Sequence, residues 1–130
     1  TSDNTRTSAT PNWMNYYEWM GTDASGAQTY QIAVRIMLPN DFAAWDTNNA
    51  VQVDNFANSG CSVSLQWYLT GSSTFASQTN ITNTTWNKTA FTSTNLSSWT
   101  TPGTVATLLI TLSATNGNVA RVGDITLNYQ

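Results

Sequence analysis

From Val105 to Tyr129 the chain reads VATLLITLSATNGNVARVGDITLNY. Leu108, Ile110 and Leu112 fall on one side of an extended backbone, and Ile125, Leu127 and Tyr129 repeat the pattern on the return. This period of two belongs to strands that bury one face. Between the two runs lies Thr115-Asn116-Gly117-Asn118, and Asn-Gly is the strongest short hairpin signal because both residues tolerate positive φ. The stretch therefore predicts a long β-hairpin, and the rest of the chain must supply strands to cover its apolar face.

Further strands follow from the same alternation. Over Thr29–Leu38, Tyr30, Ile32, Val34, Ile36 and Leu38 alternate with Gln31, Ala33, Arg35 and Met37. Val63, Leu65, Trp67 and Leu69 alternate through Ser62–Thr70, which places Trp67 in the core. Val51–Phe56 reads as a short strand, and Asn12–Met20 (NWMNYYEWM) suits a strand better than a short helix. The Thr-rich stretch Thr74–Leu96 predicts one or two edge strands. Asn40 or Asp41 could cap a single helical turn over Phe42–Trp45. About eight short strands with frequent turn signals and no long helix predict an all-β chain: one antiparallel β-sandwich of jelly-roll type. The 130 residues hold one domain. It divides into an N-terminal arm over 1–20, available for exchange with a neighbouring subunit, and a sandwich over 21–130.

Charged residues are 8% of the chain, against about a quarter in a typical domain, and the net charge is −3. Weak repulsion between copies leaves association unopposed. The four basic residues are scattered at Arg6, Arg35, Lys88 and Arg121, which gives no footprint for nucleic acid. No apolar run is long enough for a helical membrane span. A single cysteine, Cys61, excludes an intrachain disulfide and reads as a small buried residue. The start at Thr1 fits a processed secreted protein, and four sequons, at Asn80, Asn83, Asn87 and Asn95, are candidate N-glycosylation sites.

Chemistry is sparsely provided. With no histidine, the Ser-His-Asp and Cys-His arrangements are absent, and so is the usual zinc site. Glu18 and Asp124 could form the carboxylate pair of a glycosidase. They fit structural ion pairs with Arg35 and Arg121 better, because bidentate Arg-carboxylate pairing holds strand register. Asp41 and Asp46 are weak candidates for a structural calcium, without EF-hand spacing, and their plainer role is a cap and turn. No other cofactor is expected, and the chain reads as non-enzymatic.

Two segments resemble a known group. YQIAVRIMLPNDFAAW (Tyr30–Trp45) ends its strand in Arg-x-x-x-Pro-x-Asp-Phe, and VARVGDITLNY (Val119–Tyr129) carries Arg-Val-Gly-Asp-Ile with an aromatic near its end. With NYYEW (Asn15–Trp19), these resemble β-sandwich domains of secreted, cell-surface or phage-like proteins from environmental and uncultivated bacterial genomes. The resemblance covers the two ends of the domain and brings no catalytic residues. It implies a sandwich at an extracellular or virion surface, often one unit of a larger assembly.

The aromatic load separates two functional expectations. The chain has six tryptophans and five tyrosines. In the first, it is a structural subunit of a filament, surface layer or virion, whose partners are copies of itself. Trp13, Met14, Tyr16, Tyr17 and Trp19 of the arm would then add a strand to a neighbour's sheet. In the second, it is a carbohydrate-binding module in which exposed tryptophans, Trp86 and Trp99 above all, stack on glycans.

Overall fold

The computed structural model describes residues 2–3, 14–71 and 73–130. Among them are ten strands: β1 (Ser2–Asp3), β2 (Met14–Asn15), β3 (Tyr17–Met20), β4 (Gln28–Met37), β5 (Val51–Ala57), β6 (Ser62–Tyr68), β7 (Thr74–Ile81), β8 (Asn87–Phe91), β9 (Val105–Ala114) and β10 (Val119–Leu127). β1 and β2 form a small ladder of their own, and the other eight make two four-stranded antiparallel sheets. One sheet runs β3-β10-β5-β8 and the other β4-β9-β6-β7. Taken as strands one to eight, the orders are 1-8-3-6 and 2-7-4-5, which is a jelly roll built from two Greek keys. The sandwich begins at Tyr17, so the last four residues of the segment expected as an arm are its first strand.

The inner faces follow the alternation. Val51, Val53, Asn55 and Ala57 of β5, Val63, Leu65 and Trp67 of β6, and Leu108, Ile110 and Leu112 of β9 are buried, while the residues alternating with them are half-buried. One end of the sandwich is filled by rings. Trp67 lies 5.2 Å from Trp99, Trp99 lies 5.3 Å from Trp45, and Phe42 closes on Trp45 at 4.9 Å between ring centres. Two of these indoles satisfy their N–H groups on backbone: Trp45 donates to the Trp99 carbonyl at 2.8 Å and Trp99 to the Thr104 carbonyl at 3.2 Å. Cys61 is buried as expected.

Two local expectations fail, each for a visible reason. The Asn-Gly turn does not close a hairpin, because β9 and β10 belong to different sheets. A type I′ hairpin needs positive φ at both central residues, and here Gly117 has φ 75° while Asn116 does not. With Asn118 N–H bonding the Thr115 carbonyl at 3.0 Å, this is the pattern of a type II turn, whose twist does not suit paired strands. Gly21 wedges into the gap: its N–H donates to the Asn118 carbonyl and its carbonyl accepts from Gly117 N–H. A Cβ at Gly21 would fall on the carbonyl oxygens of Ala114 and Thr115, so only glycine fits.

The expected helical turn over Phe42–Trp45 is instead an extended segment. Ala43 and Ala44 donate to the Gln130 carbonyl, Gln130 N–H donates back to Ala44 at 2.8 Å, and Trp45 bridges Tyr129. Burying Phe42 and Trp45 in the ring cluster while satisfying the last residues of β10's extension outweighs a lone helical turn, which is costly to nucleate.

Candidate functional site

The N-terminal segment meets the sandwich along β10. β3 pairs antiparallel with the first half of that strand, Tyr17 opposite Val122 and Met20 opposite Val119. Alternation then sends neighbouring side chains to opposite faces. Glu18 stands directly across from Arg121, which in turn stands across from Phe56 of β5, so the three form a row over the sheet's outer face. The Arg121 Nε donates to Glu18 Oε2 at 2.6 Å. The same guanidinium lies 4.9 Å over the Phe56 ring and 5.2 Å over the Tyr16 ring. Trp86, half-buried, closes the cluster with its ring 5.4 Å from Tyr16 and 6.0 Å from Phe56. Arg121 is thus held on three sides by groups that favour a planar cation.

Trp19 works on the other face. Its indole stacks on Tyr30 of β4 at 5.2 Å with 21° between planes, and its N–H donates to the Gln28 carbonyl at 3.0 Å. β3 is therefore tied to both sheets by Trp19 and to the outer face by Glu18 and Tyr16. Tyr17 contributes little to this hold and is 66% exposed.

Immediately beyond Val122 the pairing changes. Gly123 and Asp124 together face the single residue Asp54, a β-bulge, and Ile125 resumes opposite Val53. The pairing of β3 with β10 ends at the same point, and Met14–Asn15 pairs instead with Ser2–Asp3. A shallow pocket of about 270 Å³ lies where the two separate, lined by Asn15, Tyr16, Tyr17 and Gly123.

The other candidate residues scatter. Of the proposed ion pairs, Glu18–Arg121 forms, whereas Arg35 and Asp124 have no ion-pair partner among the described residues. The reason is register: β4, which carries Arg35, lies in the opposite sheet, and Asp124 sits on the bulge. Asp54 and Lys88, which the sequence reading did not single out, pair at 3.2 Å across β5 and β8. Asp46 accepts the backbone N–H groups of Asn48 and Asn49 at 3.0 and 2.7 Å, which makes it a turn-former. Among the described residues, Asp41 and Asp46 belong to no group of three or more metal-binding side chains.

Of the glycan candidates, Trp86 flanks the cluster, but Trp99 is 0% exposed and offers no surface to a sugar. Its neighbours in sequence are polar Ser and Thr residues. They form a turn-rich cap, and the indole plugs the sandwich beneath it. Trp13 lies outside the described residues, as do residues 1 and 4–12 and the side chain of Met14. Asn80 and Asn87 are exposed. Asn95 is exposed and its amide oxygen accepts the Thr92 N–H at 2.9 Å. Asn83 is different. Its amide nitrogen donates to the oxygen of buried Asn55 at 2.9 Å, and Asn55 donates onward to Thr89 at 2.7 Å. A glycan on Asn83 would be carried by the same nitrogen and leave it a single proton for that bond. No helix of the described residues is long and apolar enough to cross a membrane.

Compared with protein-family models, curated proteins and solved structures, the chain matches none.

Proposed function

We propose that this chain is a non-enzymatic structural subunit that assembles with copies of itself at an extracellular, cell or virion surface, by strand addition through its N-terminal segment. The observation that carries the reading is the docking of β3. It is a four-residue edge strand that reaches its sheet by main-chain pairing and by side chains at Tyr16, Glu18 and Trp19. None of those contacts depends on which copy supplies the strand, which is the condition for exchange between subunits. The low charge and hydroxyl-rich surface suit close packing of like copies, through wet, hydrogen-bonded contacts. The jelly roll serves capsid and lectin proteins alike, so the fold alone does not choose. Deleting Thr1–Met20 is the test. The remaining chain should stay folded but form no extended polymer, and polymers growing normally without the segment would refute the reading.

A second reading, a carbohydrate-binding module, is favoured by the pocket beside Tyr16 and Tyr17 and by the adjoining Trp86 ring. Glycan titration of the intact chain and of Trp86→Ala tests it. Affinity that disappears in the variant supports it, and no binding across a polysaccharide panel counts against it.

A further inference from the structure

We propose that β4 is a second assembly surface, which pairs antiparallel with β4 of another copy about a two-fold axis centred on Ala33. This rests on the reading of the chain as a self-associating subunit, but not on exchange of the N-terminal segment.

A sandwich has four edge strands, and natural proteins protect such edges with shortness, bulges or charge. Three are protected here. β3 has four residues and carries Glu18. β7 pairs with β6 through two register irregularities, and Asn80 near its end has φ 56°. β8 has five residues and carries Lys88. β4 is different. It runs for ten residues in unbroken register with β9, from Gln28–Ala114 to Met37–Val105. It contains no proline and a single charge, Arg35. No described strand pairs with its outer edge.

The apolar surface points to the same flank. The exposed large hydrophobic residues among those described are Tyr17, Met20, Tyr30, Met37 and Tyr129. All lie on β3, on β4 or just past β10, and none lies on the β5–β8 side. Ile32, Val34 and Ile36, the inner row of β4, are only half-buried, so a strand laid beside them would complete their cover.

A second copy is the occupant that the register favours. Leu38 exchanges main-chain bonds with the start of β9, its N–H to the Thr104 carbonyl and its carbonyl to Gly103 N–H, both 2.8 Å. In-phase residues Ile36, Val34 and Ile32 therefore direct their main-chain groups at β9. Thr29, Gln31, Ala33, Arg35 and Met37 direct theirs at the free edge. Centring on Ala33 sets Ala33 against its own counterpart, Arg35 against Gln31 and Met37 against Thr29 of the other copy. Each free-edge residue meets another free-edge residue, as pairing requires. No like charges oppose, and each guanidinium faces an amide oxygen that can accept from it. The two β4 sheets would then run on as one sheet of eight strands. A two-fold contact closes on itself, so it yields pairs, and the exchanged N-terminal segment would join pairs into longer assemblies.

The test uses the full chain and two variants, with light scattering across concentration and circular dichroism to report folding. Ala33 is exposed on the outer face, so Ala33→Arg should leave the fold intact while opposing two arginines at the axis. It should be monomeric where the parent chain is paired. Ala33→Cys should give a disulfide-linked dimer on mild oxidation. The two Cα atoms would stand about 5.5 Å apart, within disulfide range. Thr79→Cys, on the protected β7 edge, should not cross-link, and native Cys61 is buried away from the reaction. If the parent associates while Ala33→Arg associates equally and Ala33→Cys does not cross-link, the β4 pairing is overturned and the subunit reading stands. If the parent stays monomeric at every concentration, both fall.

Discussion

Two aromatic clusters of this molecule use the same residue types for opposite ends. The plug of Trp45, Trp67 and Trp99 is buried, closes one end of the sandwich and meets the chain's own backbone through two indole N–H bonds. The outer-face cluster of Tyr16, Phe56 and Trp86 is half-buried and centres on Arg121 and Glu18. The plug is part of the core. The outer cluster holds one short strand against the sheet's outer face. Aromatic content alone therefore says nothing about binding until each ring is placed on a face.

That contrast can be broken by mutation. Trp99→Ala should cost about 3–5 kcal/mol, a large part of a small domain's stability, because it empties a fully enclosed site. Trp86→Ala should cost on the order of 1 kcal/mol, since its ring is only half-buried. Denaturant titration of both variants checks the ratio, and equal losses would erase the distinction between plug and docking cluster. Next in size is Gly21→Ala, expected to cost about 1–3 kcal/mol because the added methyl must push the β9–β10 turn aside.

Arg121→Ala sharpens the comparison from the other side. The ion pair is about a quarter exposed, so global stability should fall by less than about 1 kcal/mol. Proteolysis within Met14–Met20 should nevertheless accelerate clearly, because the strand loses its grip on the outer face. Unchanged cleavage would mean that Arg121 does not hold β3. The smallest effect concerns pH. The Asp23 carboxyl is held below its ordinary value of 3.8 by the backbone N–H and hydroxyl of Ser25. A lowered folded value means the turn's contribution is present above about pH 4 and is lost as pH falls through the folded value. Melting temperatures of Asp23→Asn and parent should therefore differ slightly at neutral pH and converge in acid.

The architecture was largely legible. Alternation in Thr29–Leu38, Ser62–Thr70 and Val105–Leu112 is local and strong, so the strands, the buried face and Trp67 could all be read from it. Turn geometry was not legible, because Asn116-Gly117 permits either a hairpin or a crossing. The choice is made by Gly21, ninety-five residues away from Asn116 in sequence, which enters the gap. The Glu18–Arg121 pair could be listed as a candidate from composition. Its selection over Arg35 came from which strands share a sheet, and over Asp124 from the bulge that carries that residue beyond the pairing with β3. Trp99 misled because polar neighbours surround it in sequence while the core surrounds it in space.

The central claim is that this chain associates with itself, and its mass in solution tests that most directly. Light scattering of the purified 130-residue chain, with electron microscopy of the same sample, should show pairs that grow into larger, regular assemblies as concentration rises. A uniform 14.2 kDa monomer at every concentration, with no ordered particles on the grid, would contradict it.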